Sequence, residues 1–244
     1  MTSTSPDPPR PHLEVFEGPP TRRVPLADKL VWFGVGTTVV LGGIHAGLEL
    51  TWRFRHAIPA ELREVFLINQ EQSIATWLTV FMTALLGLLC LSRGLATRRR
   101  GWYVVGGLFL YLSMDDATML HERVGWVVNG QLGDGFSFRW VQVLGPVFAV
   151  AGLLAFAFLW REFRGCTKAR LRMLAAFAML GSSLVVEVFE KFFTQSGMRF
   201  RGLPVSRYTI WLEECAELLA PALLLSCLVG LHEVGCGNLH RAQR

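Results

Sequence analysis

The sequence predicts an all-α polytopic membrane protein of six transmembrane helices with both termini in the cytoplasm, and three observations carry that prediction. Apolar residues make up 52% of the 244 residues and charged residues only 18%, against about a quarter charged in an ordinary soluble domain. The apolar residues fall into blocks about as long as the roughly 20-residue helix that crosses a ~30 Å hydrocarbon core. Lys and Arg cluster between those blocks, fifteen in the N-terminal tail, alternate connections and C-terminus against nine on the opposite side, which is the bias of a cytoplasmic face. A soluble single-core globule is excluded by the first two observations. The net charge of +5 reports insertion rather than nucleic-acid binding, because the cationic residues lie in short clusters between apolar runs.

Each element follows in order. Residues 1–27 hold seven of the eleven prolines and little that could pack, so they read as a disordered cytoplasmic tail. Residues 28–232 read as a six-helix transmembrane domain and 233–244 as a short cytoplasmic tail, which places the chain in the cell's inner (plasma) membrane. The spans are 28–50, 73–91, 102–120 with an extension to 128 left open, 138–160, 171–193 and 208–231. A helix satisfies its own backbone hydrogen bonds in lipid, so each apolar run takes that form. Pro146 and Pro221 fall inside the fourth and sixth runs, where a kink is expected. The fourth run has only Gln142 as a polar group near its outer end and reads as peripheral. Five cysteines form no CxxC pair, which argues against a disulfide framework and a thiolate zinc site.

The acids carry the functional argument. Thirteen of the nineteen fall in outer loops or outer half-helices. At 1.5 Å rise per residue, the embedded ones from five helices share a layer roughly 3 to 14 Å below the outer boundary. An ionised side chain there costs a few kcal/mol unless it faces the bundle interior and finds partners. One remedy is a bound divalent metal ion, iron, manganese or zinc, held by oxygen and imidazole ligands on neighbouring helices. The candidate ligands are His45 and Glu49 on the first helix, Asp115, Asp116, His121 and Glu122 on the third, Glu187 and Glu190 on the fifth, and Glu213 and Glu217 on the sixth. On a continuous helix at ~100° per residue, Asp115 and Glu122 share a stripe while His121 lies about 120° round from Asp115, so one metal does not take ligands along that whole string.

The leading expectation is therefore a metal-dependent membrane-embedded enzyme, an oxidoreductase or hydrolase, acting on a lipid-like or isoprenoid substrate, with membrane lipid as its surroundings and no nucleic acid as partner. Protonated acids would instead serve a proton- or cation-coupled transporter, and acids paired with Arg and Lys a noncatalytic assembly or sensor subunit. Trp32, Trp102, Trp126, Trp140, Trp160 and Trp211 read as interfacial anchors. Trp77 lies deeper and is a candidate cavity wall, and Ser113 and Ser183 are expected to bond back to their own helices.

Overall fold

The computed structural model describes residues 25–55, 65–67, 73–132, 140–195, 197–200 and 203–242, leaving out some side chains at helix ends, those of Glu49, Glu187 and Glu190 among them. Residues 1–24 of the expected N-terminal tail lie outside the described residues, while Leu26 and Ala27 already belong to the first helix. Seven helices are described: α1 (Leu26–Arg55), α2 (Ile74–Thr97), α3 (Arg100–Thr118), α4 (Leu120–Leu132), α5 (Trp140–Glu162), α6 (Thr167–Gln195) and α7 (Val205–Ala242). A two-residue hairpin, β1 (Arg199–Phe200) and β2 (Leu203–Pro204), pairs antiparallel between α6 and α7. α5 and α7 run unbroken through Pro146 and Pro221.

Five apolar stretches are long enough to cross a membrane by length and composition: Leu26–Leu48, Ile74–Thr97, Leu144–Glu162, Thr167–Val186 and Tyr208–Leu231. α3 does not reach that mark, because Asp115 and Asp116 dilute its apolar content. Large apolar side chains cover the outside of the bundle, with Trp32, Leu95 and Val104 each more than 70% exposed. In water such a surface would drive association.

α7 is the central helix. From Leu218 to Leu228 every described position but Leu219 is buried, so the helix is apolar on all sides, as a helix surrounded by others must be. It packs on α1, α2 and α6, while α2 and α3 form an antiparallel hairpin. Two close approaches depend on glycine. A Cβ on Gly34 would stand 2.5 Å from the Cβ of Ala222, and a Cβ on either Gly87 or Gly106 would stand 3.0 Å from the other's carbonyl oxygen. α5 touches α6, α4 and α3 and stays at the periphery.

Three ion pairs among the described residues lie at one end of the bundle. Lys168 Nζ donates to Asp28 Oδ1 at 2.7 Å and to Oδ2 at 2.8 Å. Arg172 donates to the same carboxylate and reaches Ser226 Oγ at 3.5 Å, which ties α1, α6 and α7 together. Arg99 Nη1 meets Glu162 Oε1 at 2.6 Å and joins the α2–α3 turn to the end of α5. At the α5–α6 turn the Arg170 guanidinium lies 4.6 Å from the centroid of Trp160.

Two tryptophan expectations are corrected. Trp102 is fully buried rather than interfacial, its ring edge-on to Phe158 with centroids 5.2 Å apart. Trp77 is 65% exposed and stacks on Phe81, so it faces outward. The cause in both is helix rotation: depth along a helix follows from residue count, but the face presented is set by neighbours.

Candidate functional site: an apolar cavity with an acidic end

α3, α5, α6 and α7 line a cavity of about 660 Å³ that is open at the bundle surface, where Leu153, Leu174 and Val185 are exposed, within the ~300–1,000 Å³ range of small-molecule sites. It arises because the two helices that face each other across it carry small residues where others would interdigitate. Ala149, Gly152 and Ala155 recur at three-residue intervals on α5, and Ala178 and Gly181 stand on α6. A Cβ added to Gly152 or Gly181 would meet nothing within 4 Å. Toward the ion-paired end the walls are apolar, with Leu108, Phe109, Leu174, Phe156 and Phe177. Phe156 and Phe177 stand edge to face at that end, with centroids 5.3 Å apart. Asp115, Ser183, Glu213 and Glu217 line the other end.

Asp115 is held by a break in the chain's third apolar run. The sequence reading allowed one helix to continue past residue 120, whereas α3 stops at Thr118 and Met119 takes a left-handed conformation with φ of 52°. A non-glycine residue there costs roughly 1–2 kcal/mol, and Asp115 offsets the cost at three atoms. Its carbonyl accepts the Met119 N–H, the 5→1 bond of a left-handed helix cap. Its carboxylate accepts the His121 backbone N–H at Oδ1 (3.0 Å) and sits 2.7 Å from His121 Nδ1 at Oδ2. The angular argument that separates His121 from Asp115 fails because it presumes a continuous helix; the break swings the imidazole onto the carboxylate.

Asp115 is 4% exposed. A buried carboxylate on Nδ1 fixes the tautomer and orientation of an imidazole, the arrangement by which histidines are set up as proton carriers or ligands. Ser183 Oγ donates within α6 to Met179 O at 3.3 Å as expected, but Ser113 Oγ donates across to Val80 O of α2 at 2.8 Å instead of back to its own helix.

Of the ten residues singled out as metal ligands, the structure brings Asp115, Glu213 and Glu217 to one cavity and sets His121 against Asp115. Asp116 and Glu122 are half-buried and do not line it, and α1, which carries the half-buried His45, gives it no residue. The side chains of Glu49, Glu187 and Glu190 lie outside the described residues. Among the described residues, no three His, Cys, Asp or Glu side chains stand close enough together to hold a metal ion. Sequence reasoning missed the cavity's apolar walls. The available signal was the three-residue spacing of Ala149, Gly152 and Ala155 opposite Ala178 and Gly181.

Helices that carry apolar surface outward, with five of them long enough to cross a bilayer, give the chain the architecture of a helical membrane protein. The chain belongs to the DUF8692 family, described as a domain of unknown function, which matches residues 30–231 and so covers every wall of the cavity. No curated protein and no solved structure matches it.

Proposed function

We propose that the protein spans the inner membrane six times, with both termini in the cytoplasm, and takes a lipid-like molecule into the α3–α5–α6–α7 cavity. α3 is the sixth span: its 19 residues at 1.5 Å each measure ~28 Å, about a hydrocarbon thickness. The single observation that carries the reading is an apolar cavity whose few polar groups collect at one end, the pattern of a site that orients an amphiphile by its head. Asp115 with His121, and the two glutamates, supply groups for proton transfer at that head. An enzyme acting on the bound lipid is therefore the activity to assay first.

The test is chemical extraction of protein purified in mild detergent. Wild type is expected to yield a stoichiometric lipid-like molecule by mass spectrometry, and Gly181→Leu, which fills the cavity, to yield none. Recovery of equal amounts from both proteins would sink the reading. The metal-dependent enzyme, with a divalent cation at the acidic end, is a second reading: three carboxylates line the cavity, although among the described residues no three candidate ligands stand close enough together to hold one ion. Elemental analysis of wild type and Glu217→Ala decides it: stoichiometric metal lost in the variant supports it, and no metal in wild type removes it.

A further inference from the structure

We infer that the ion-paired end of the bundle holds one anionic phospholipid, its phosphate between the α2–α3 and α5–α6 turns and its chains against α5; the site stands apart from the cavity and needs only that the bundle lie in a membrane. The two turns are pinned to each other by Arg99 Nη1, which donates to Glu162 Oε1 at 2.6 Å. Arg98 and Arg100 flank Arg99, and Arg161 precedes Glu162, so each of their Cα atoms stands one ~3.8 Å step from a member of the bridged pair. Arg164 follows in the same turn. The acids described at this end are already taken: Glu162 by Arg99, and Asp28 by Lys168 and Arg172. Arg98, Arg100, Arg161 and Arg164 are exposed, and none of them makes a side-chain hydrogen bond or ion pair among the described residues. Four cations surround one neutralised pair.

Depth selects a lipid over a soluble polyanion. The apolar stretch of α2 ends at Thr97, directly before Arg98, and that of α5 ends at Glu162, while the stretch of α6 begins at Thr167. All four arginines therefore lie within three residues of the end of a span, at the level of lipid phosphates, and turns this short do not lift them into bulk water. Trp160 marks the same level: it is partly exposed, and an indole ring belongs among head groups. The Arg170 guanidinium lies 4.6 Å from the centroid of that ring and donates from Nη2 to Trp160 O at 3.1 Å. Arg170 Nε is buried with no hydrogen-bond partner, a further donor on a cation that no described acid neutralises. Deeper in the membrane, Val104 on α3 and Leu153 and Leu154 on α5 are largely exposed and offer a surface for acyl chains. Guanidinium groups take phosphate oxygens in pairs, and a basic pocket between helix ends is the setting in which anionic head groups bind.

Native mass spectrometry of the full chain, delipidated in detergent, reads the site directly. Dioleoylphosphatidylglycerol is expected to bind one per protein and at least about tenfold more tightly than dioleoylphosphatidylcholine, which has the same chains and a phosphate neutralised within its own head. Arg98→Asn with Arg100→Gln, and separately Arg161→Gln with Arg164→Gln, are each expected to weaken the phosphatidylglycerol adduct about 25-fold, about fivefold per arginine, with Tm unchanged. Asparagine suits the left-handed backbone at residue 98, where φ is 54°. The two pairs stand on different turns, so a variant that misfolds leaves the other to decide. Lys29→Gln removes one exposed cation at the same end of the bundle and is expected to leave the affinity unchanged. Equal binding of the two lipids, indifference to both arginine pairs, or a loss in Lys29→Gln of about fivefold, as large as one arginine contributes, would overturn the site, the last by making the attraction a property of the whole charged face. Glycerophosphate, the head without its chains, is expected to give no adduct; an adduct as tight as that of the lipid would overturn the lipid assignment.

Discussion

The two sides of α7 use the same residue type for opposite ends. Toward α1, Gly34 lets the backbones close until a single added Cβ would sit 2.5 Å from Ala222. Toward α5 and α6, Gly152 and Gly181 face open space. Inside a membrane, helix association draws on close packing rather than on escape from water. Glycine on the α1 side adds contact area, and glycine on the cavity side withholds it. One bundle thus holds a packed half that supplies rigidity and a hollow half that can be occupied.

Substitutions should separate the halves. The largest effect is expected on the packed side: Gly34→Val forces α1 off α7 and costs about 3 kcal/mol, the upper end of the usual overpacking range, read as a large fall in Tm by circular dichroism in detergent. Asp115→Ala comes next, at about 2 kcal/mol for buried hydrogen-bond donors left without an acceptor. It should also release the α3–α4 break, seen as faster hydrogen exchange at residues 119–123. Ser113→Ala removes one buried bond from the α2–α3 hairpin and is expected to cost about 1 kcal/mol in the same melts. Gly152→Ala and Gly181→Ala are expected to raise stability slightly, by about 0.5–1 kcal/mol, since each removes a mid-helix glycine and clashes with nothing. Destabilisation of either hollow-side variant on the scale of Gly34→Val would erase the distinction.

Helix order follows from apolar run length: each of the six expected runs contains described helix, the third divided between α3 and α4, and five of the stretches are long and apolar enough to span. Three of the acids singled out, Asp115, Glu213 and Glu217, line one end of a cavity. Which acids meet is not legible. Met119 is neither Gly nor Asn, so nothing local announces its left-handed turn, and without the break His121 points elsewhere. Gly34 and Gly181 look alike in sequence, since whether a small residue meets a neighbour or empty space depends on helices far away in the chain. Trp102 and Trp77 depart from their expected roles for the same reason.

The partnership of α1 with α7 also constrains how the bundle is made. α2 and α3 pair across a two-residue turn and have their glycine contact as soon as both are synthesised. α1 must wait: its principal partner begins at Val205, some 150 residues after α1 ends at Arg55. Through most of translation Gly34 therefore faces lipid, and the core around Leu218–Leu228 does not exist. Maturation is gated by the arrival of α7. Loss of α7 would spare the early hairpin and leave α1 in the bilayer as an orphan exposed to membrane quality control.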